Sequence, residues 1–170
     1  MDSNLAAVFS LDLFSDPTAA AQLLSLNQKT EKFGLALSAA DVSALVQTRA
    51  EALSANGRIE IGSATIARLV EAFSGSAYIS QLNYAATLHE LIDLFYYFKN
   101  ETLDLISDNE LIAFMKNSFE NRCGGSLELL AGRDLQKLAE NLRFGRKDYT
   151  NMNPEPDELD ADELEEDEDE

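Results

Sequence analysis

Apolar residues recur at helical spacing along most of the chain. The cleanest stripe is Ile66, Leu69, Val70 and Phe73, a run of i, i+3, i+4 and i+7 positions. Ser63 before it predicts a cap, and Gly75 after it a stop. The longest apolar stretch is YISQLNYAATLHELIDLFYYF, from Tyr78 to Phe98. A helix starting at Ser80 and running over 80–99 puts Tyr84, Leu88, Leu91, Ile92, Phe95 and Phe98 on one face. Leu94, Tyr96 and Tyr97 widen that face. A helix apolar on more than one side belongs inside a helical domain, with neighbours around it.

The flanking segments read in the same way. Asp16-Pro17 predicts a helix start, with Leu23, Leu24 and Leu26 behind it and Gly34 as its stop. Ser38 with Asp41 three residues on predicts a capped helix through Val42, Leu45, Val46, Arg49 and Leu53, ending at Asn56-Gly57. Ser107 with Glu110 is the strongest start signal and precedes Leu111, Ile112, Phe114, Met115 and Phe119. Cys123-Gly124-Gly125 predicts a turn, Ser126–Ala131 a short helix, and Gly132 a break before a last helix with Leu135, Leu138, Ala139 and Leu142. The segment GRIEIG, 57–62, alternates Ile59 and Ile61 with Arg58 and Glu60, which predicts a short extended piece.

The expected fold is therefore all-α. It is a single-domain bundle of about six or seven helices around the 80–99 helix, with at most a minimal extended segment at 57–62. Residues 1–15 form an N-terminal arm bearing Leu5, Val8, Phe9, Leu11, Leu13 and Phe14, and 16–146 form the helical domain. Residues 147–170 form a disordered acidic tail, because their apolar content is too low to offset the entropy of ordering.

Charge sharpens this division. The chain carries 13 Lys and Arg against 31 Asp and Glu, a formal net of −18. Residues 151–170 hold 12 acids and no base, so the remaining 150 residues carry 13 bases and 19 acids. An acidic body disfavours direct binding to nucleic acid and to anionic membranes, whose affinity comes from Lys and Arg. The tail favours a basic protein partner. No apolar run nears the roughly 20 residues that span a bilayer. The N-terminus has no basic start, and Cys123 is the single cysteine, which together point to the cytoplasm.

Few residues carry candidate chemistry. His89-Glu90-Leu91-Ile92-Asp93 resembles half of a metalloprotease helix: His89 and Asp93, four apart on one face, could both reach one metal. A catalytic zinc needs a third protein ligand, and there is no second His. The alternative is a His–Asp pair on a helix surface. Cys123, beside Arg122 and two glycines, is a nucleophile candidate that lacks a base in sequence, and a structural thiol is the simpler reading. Tyr96 and Tyr97 are candidate partner anchors, against the alternative of core packing. The pattern implies no cofactor and no metal.

The strings FGLALS, NGRIEIG, YISQLNYAATLHELIDLFYYFKNETLD and GSLELLAG resemble segments of an uncharacterised family of small cytoplasmic bacterial proteins of unknown function. The resemblance spans residues from about 30 to 140. It implies a cytoplasmic bacterial protein and assigns no activity or catalytic residue. The expected function is a non-enzymatic interaction or regulatory protein. The alternatives are a small enzyme, such as a metal-dependent hydrolase, using His89 with neighbouring acids, and a structural homo-oligomer.

Overall fold

The computed structural model describes residues 17–146. The expected arm at 1–15 and the acidic tail at 147–170 lie outside the described residues. Between them the chain forms one all-α domain, with no strand among the described residues. The helices are α1 (Pro17–Ser25), α2 (Asn27–Thr30), α3 (Ala39–Ala55), α4 (Ala64–Phe73), α5 (Tyr84–Glu101), α6 (Asp108–Asn117), α7 (Leu127–Leu129) and α8 (Gln136–Arg143). A 3-10 turn, Glu31–Phe33, follows α2 and ends at Gly34. A π-helical turn, Ser118–Arg122, extends α6, and a second, Leu130–Leu135, joins α7 to α8. The described helix thus falls into six stretches.

Two capping boxes set helix starts as the local sequence requires. Ser38 Oγ accepts from Asp41 N at 3.0 Å while Ser38 N donates to Asp41 Oδ2 at 3.1 Å. Ser107 and Glu110 repeat the exchange at 3.2 and 3.1 Å. Ser63 does not cap α4; its hydroxyl turns instead to the side-chain oxygen of Gln22 on α1.

The central helix begins at Tyr84, four residues after Ser80. Asn83 is the reason. Its Oδ1 accepts from Ser80 N at 2.8 Å and its amide donates to Tyr78 O at 3.3 Å, closing residues 78–83 into a turn. From there the expected stripe holds: Tyr84, Leu88, Leu91, Ile92, Phe95 and Phe98 are all buried. α5 packs most extensively on α3, while α1 covers α3 and α4, and α4 meets α6. Phe73, Phe95 and Phe119 fill the centre, with Phe73 edge-on to Phe119 at 5.5 Å. Each such ring removed from water contributes about 2–3 kcal/mol.

Gly132 does not break the C-terminal helix, as its residue type predicts it should. The chain passes through it in the π-turn, which carries Asp134 into the interior. Gly124 and Gly125 do make the expected turn. Gly125 has φ +80°, and a Cβ there would fall 2.5 Å from the ring of Tyr78, which itself stands edge-on to Phe119 at 6.1 Å. No helix of the described residues is long and apolar enough to cross a membrane.

Candidate functional site

The most distinctive surface lies at the pole where α3 and α5 end side by side. The two helices run in the same direction. Thr48 of α3 meets His89 of α5, and just past α3, Asn56 O accepts from Asn100 Nδ2 at 2.8 Å.

Both helices close in the same motif. After α3, Gly57 N donates to Ser54 O at 3.1 Å and Arg58 N to Leu53 O at 2.8 Å. After α5, Leu103 N donates to Asn100 O at 2.9 Å and Asp104 N to Lys99 O at 3.1 Å. This paired closure places one residue in the left-handed region, where glycine is at home. Gly57 occupies it at φ +62°, but after α5 the position is Leu103 at φ +56°, followed by Asp104 at φ +56°. A leucine held there costs about 1–2 kcal/mol. Strain of this kind persists only where surrounding contacts enforce it.

Those contacts are ionic. Arg58 Nη2 and Nη1 donate to the two oxygens of Asp104 at 2.7 and 3.0 Å, and Nη1 also donates to Asn100 Oδ1 at 2.8 Å. The Arg58 guanidinium holds the Asp104 carboxyl below the usual carboxylate range, with help from Lys99. Lys99 is buried, donates to Ile106 O at 2.6 Å, and lies 2.9 Å from Asp108 Oδ1 and 3.7 Å from Asp104 Oδ1.

The extended segment between Arg58 and Gly62 is fixed by its polar residue. Glu60 Oε1 accepts from Arg49 Nε and Nη2 at 3.2 and 3.0 Å. Tyr96 Oη donates to the same carboxylate, 2.9 Å from Oε1 and 2.8 Å from Oε2. Arg49 Nη2 also donates to Gly62 O at 2.5 Å. Arg49 and Tyr96 are buried, and burial, reinforced by the Glu60 charge, pushes the Tyr96 hydroxyl pKa well up. The alternation in GRIEIG is therefore real, with its polar residues turned inward.

The outward side is apolar. Ile59 is 96% exposed and Ile61 99%, and the N–H groups of Ile59, Glu60 and Ile61 have no hydrogen-bond partner among the described residues. Leu103 and Leu105, 62% and 56% exposed, flank Asp104. The Arg58–Asp104 pair sets the two apolar displays next to each other. The buried Arg49–Glu60–Tyr96 network and the partly exposed Arg58–Asp104 pair thus hold four aliphatic side chains in water, which is the reverse of what core formation alone would select.

The residues singled out from the sequence lie elsewhere or divide. Tyr96 is enclosed and its hydroxyl is committed to Glu60, so it offers a partner no surface. Its neighbour Tyr97 is half exposed. His89 and Asp93 share the rim of the α3–α5 contact, where His89 Nδ1 lies 2.6 Å from Thr48 Oγ1. Burial raises the pKa of Asp93, partly offset by His89 and reinforced by Glu51. Among the described residues, no three His, Cys, Asp or Glu side chains converge as a metal would need.

Cys123 is buried between the two π-turns. Its Sγ donates to Asp134 Oδ2 at 3.6 Å, and burial together with the Asp134 charge raises the thiol pKa. Asp134 is itself buried; Arg122 Nε lies 3.0 Å from its Oδ2 and Arg133 Nε donates to its Oδ1 at 2.8 Å. The arginines serve the carboxylate, and the thiol stays protonated, the opposite of an activated nucleophile.

Residues 22–148 match the model of DUF6323, a family of unknown function, and the chain belongs to that family. No curated protein and no solved structure matches it.

Proposed function

We propose that this member of DUF6323 is a non-enzymatic protein-interaction module, cytoplasmic, whose docking surface is the pole formed by the ends of α3 and α5. The observation that carries this reading is Ile59 and Ile61 held fully exposed by the Arg49–Glu60–Tyr96 network. Exposed apolar residues on a rigid scaffold make good anchors, because little conformational freedom is lost on binding. The free backbone of 59–61 suits a partner that adds an extended segment to it. The 12 acids of residues 151–170 favour a basic partner and would speed its encounter.

The experiment compares capture by the full-length protein, its I59S/I61S variant, and a form lacking residues 151–170. Both changes leave the thermal midpoint nearly unaltered. The double substitution abolishes capture of a protein that the parent retains, and the truncation weakens it. Equal capture by all three forms overturns the reading.

A further inference from the structure

Asn56-Gly57 is the one Asn-Gly step in the sequence. Asparagine is a chemically labile side chain, and a glycine after it leaves the next amide nitrogen unshielded by any Cβ. Gly57 is exposed, with open space where a Cβ would stand. We propose that Asn56 is a self-modification site that the closure of α3 against α5 holds shut, so that the chain converts it only when that closure opens.

The chemistry needs only water. Gly57 N gives up its proton and attacks Asn56 Cγ. The new N–Cγ bond closes a succinimide ring, the Cγ–Nδ2 bond breaks, and Nδ2 leaves as ammonia with the proton. Water then opens the ring. Cleavage of the N–Cγ bond restores the main chain with aspartate at position 56. Cleavage of the bond from the nitrogen to the backbone carbonyl carbon leaves isoaspartate, its main chain routed through Cγ. Either way water enters, ammonia leaves and nothing is oxidised.

The folded geometry resists the first step in three ways. The ψ angle of Asn56 is 7°, which turns the Gly57 nitrogen away from Cγ. Attack needs rotation about the Cα–C bond until both lie on the same side. The peptide plane that must turn is held at both ends. Gly57 N donates to Ser54 O at 3.1 Å, and Asn56 O, the carbonyl of that same peptide, accepts from Asn100 Nδ2 of α5 at 2.8 Å. The side chain is held as well: Asn56 Nδ2 donates to Ala52 O at 2.8 Å, and Asn100 Nδ2 lies 3.4 Å from Asn56 Oδ1. Asn100 is fixed in turn by Arg58, whose Nη1 donates to its Oδ1 at 2.8 Å, and Arg58 by Asp104. Opening this one closure frees ψ, the nucleophilic nitrogen and the side chain together.

The product does not fit the same seat. An ionised aspartate has no hydrogen to give Ala52 O. Isoaspartate lengthens the main chain by a methylene just before Gly57, which displaces Gly57 N and Arg58 N from Ser54 O and Leu53 O. Conversion therefore loosens the closure that had prevented it.

The test incubates the full chain at mildly alkaline pH, folded and in guanidinium chloride, and follows ammonia loss at Asn56 by peptide mass spectrometry. The folded chain should convert at least about tenfold more slowly than the unfolded chain. N100A removes the bond that α5 gives to Asn56 O and should speed conversion of the folded chain about fivefold, the weight of one net hydrogen bond. Equal rates in the folded and unfolded chain overturn the proposal, as does ammonia loss at another asparagine ahead of Asn56 in denaturant. An unchanged rate in folded N100A overturns the role of α5. If N100A does not fold, D104N tests the same closure through Arg58, and an unchanged rate there counts the same way.

Discussion

Arg58 and Asp104 occupy the same position, the third residue past a helix, and each is the other's ion-pair partner at 2.7 Å. The tie joins the ends of the two helices that pack most extensively on each other. It also gives a stability that depends on pH. Asp104 has a folded pKa below its unfolded value, so its contribution is complete above about pH 4 and is lost as pH falls through the lowered folded pKa. Asp104 is more than half exposed, so screening keeps the effect small. D104N should cost about 0.5–1 kcal/mol at neutral pH and low salt. Urea titrations at stepped pH should show the gap between parent and variant closing below about pH 4.

Leu103 gives a prediction of opposite sign. Glycine relieves the left-handed strain and removes no buried contact, since Leu103 is exposed. L103G should therefore stabilise the fold by about 0.5–1 kcal/mol, after allowing for the greater freedom glycine gives the unfolded chain. L103A keeps the strain and should show no such gain. Thermal or urea midpoints of the two variants decide it; a destabilised L103G would mean that the leucine side chain holds the turn.

Glu60 is the keystone of the extended segment. Its removal in E60A leaves the Arg49 charge buried without its carboxylate, a loss of about 3 kcal/mol. Y96F removes one hydroxyl donor and leaves the Arg49–Glu60 pair intact, so it should cost about 1 kcal/mol. If E60A proves as mild as Y96F, Arg49 does not depend on that carboxylate.

Cys123 should behave as a structural thiol. Buried and held protonated beside Asp134, it should react with a disulfide reagent at pH 7 far more slowly than a free thiol, and rapidly only once denaturant unfolds the domain. Stopped-flow absorbance with and without denaturant measures both rates. Fast labelling of the native protein would return Cys123 to the list of reactive residues.

Much of the architecture was legible because its signals are local. Ser38 and Ser107 announce their helices through partners three residues away. The α5 stripe is a matter of spacing alone. The misreadings involve distant partners. Gly132 reads as a stop, yet the chain continues through it because Asp134 is drawn in between Arg133 and Arg122, the latter twelve residues back. GRIEIG shows its alternation but not which set turns inward; the polar set does, because the buried Arg49 of α3 is met by the Glu60 carboxylate, which also accepts from the α5 hydroxyl of Tyr96. Leu103 left no trace, since nothing in a leucine signals a left-handed turn. Tyr96 and Tyr97 are neighbours in one aromatic run. Tyr96 lies one turn beyond the buried Ile92 and follows it inward, while Tyr97 stays half exposed.

The contact between Gly125 and Tyr78 carries a consequence for descent. With the ring already where a Cβ would stand, the two positions amount to one inherited choice. Across relatives, any larger residue aligned with Gly125 should arrive together with a smaller one aligned with Tyr78. A lineage that changed only the first would forfeit the ring's seat against Phe119, and with it the seam between the 74–83 turn and the far half of the bundle.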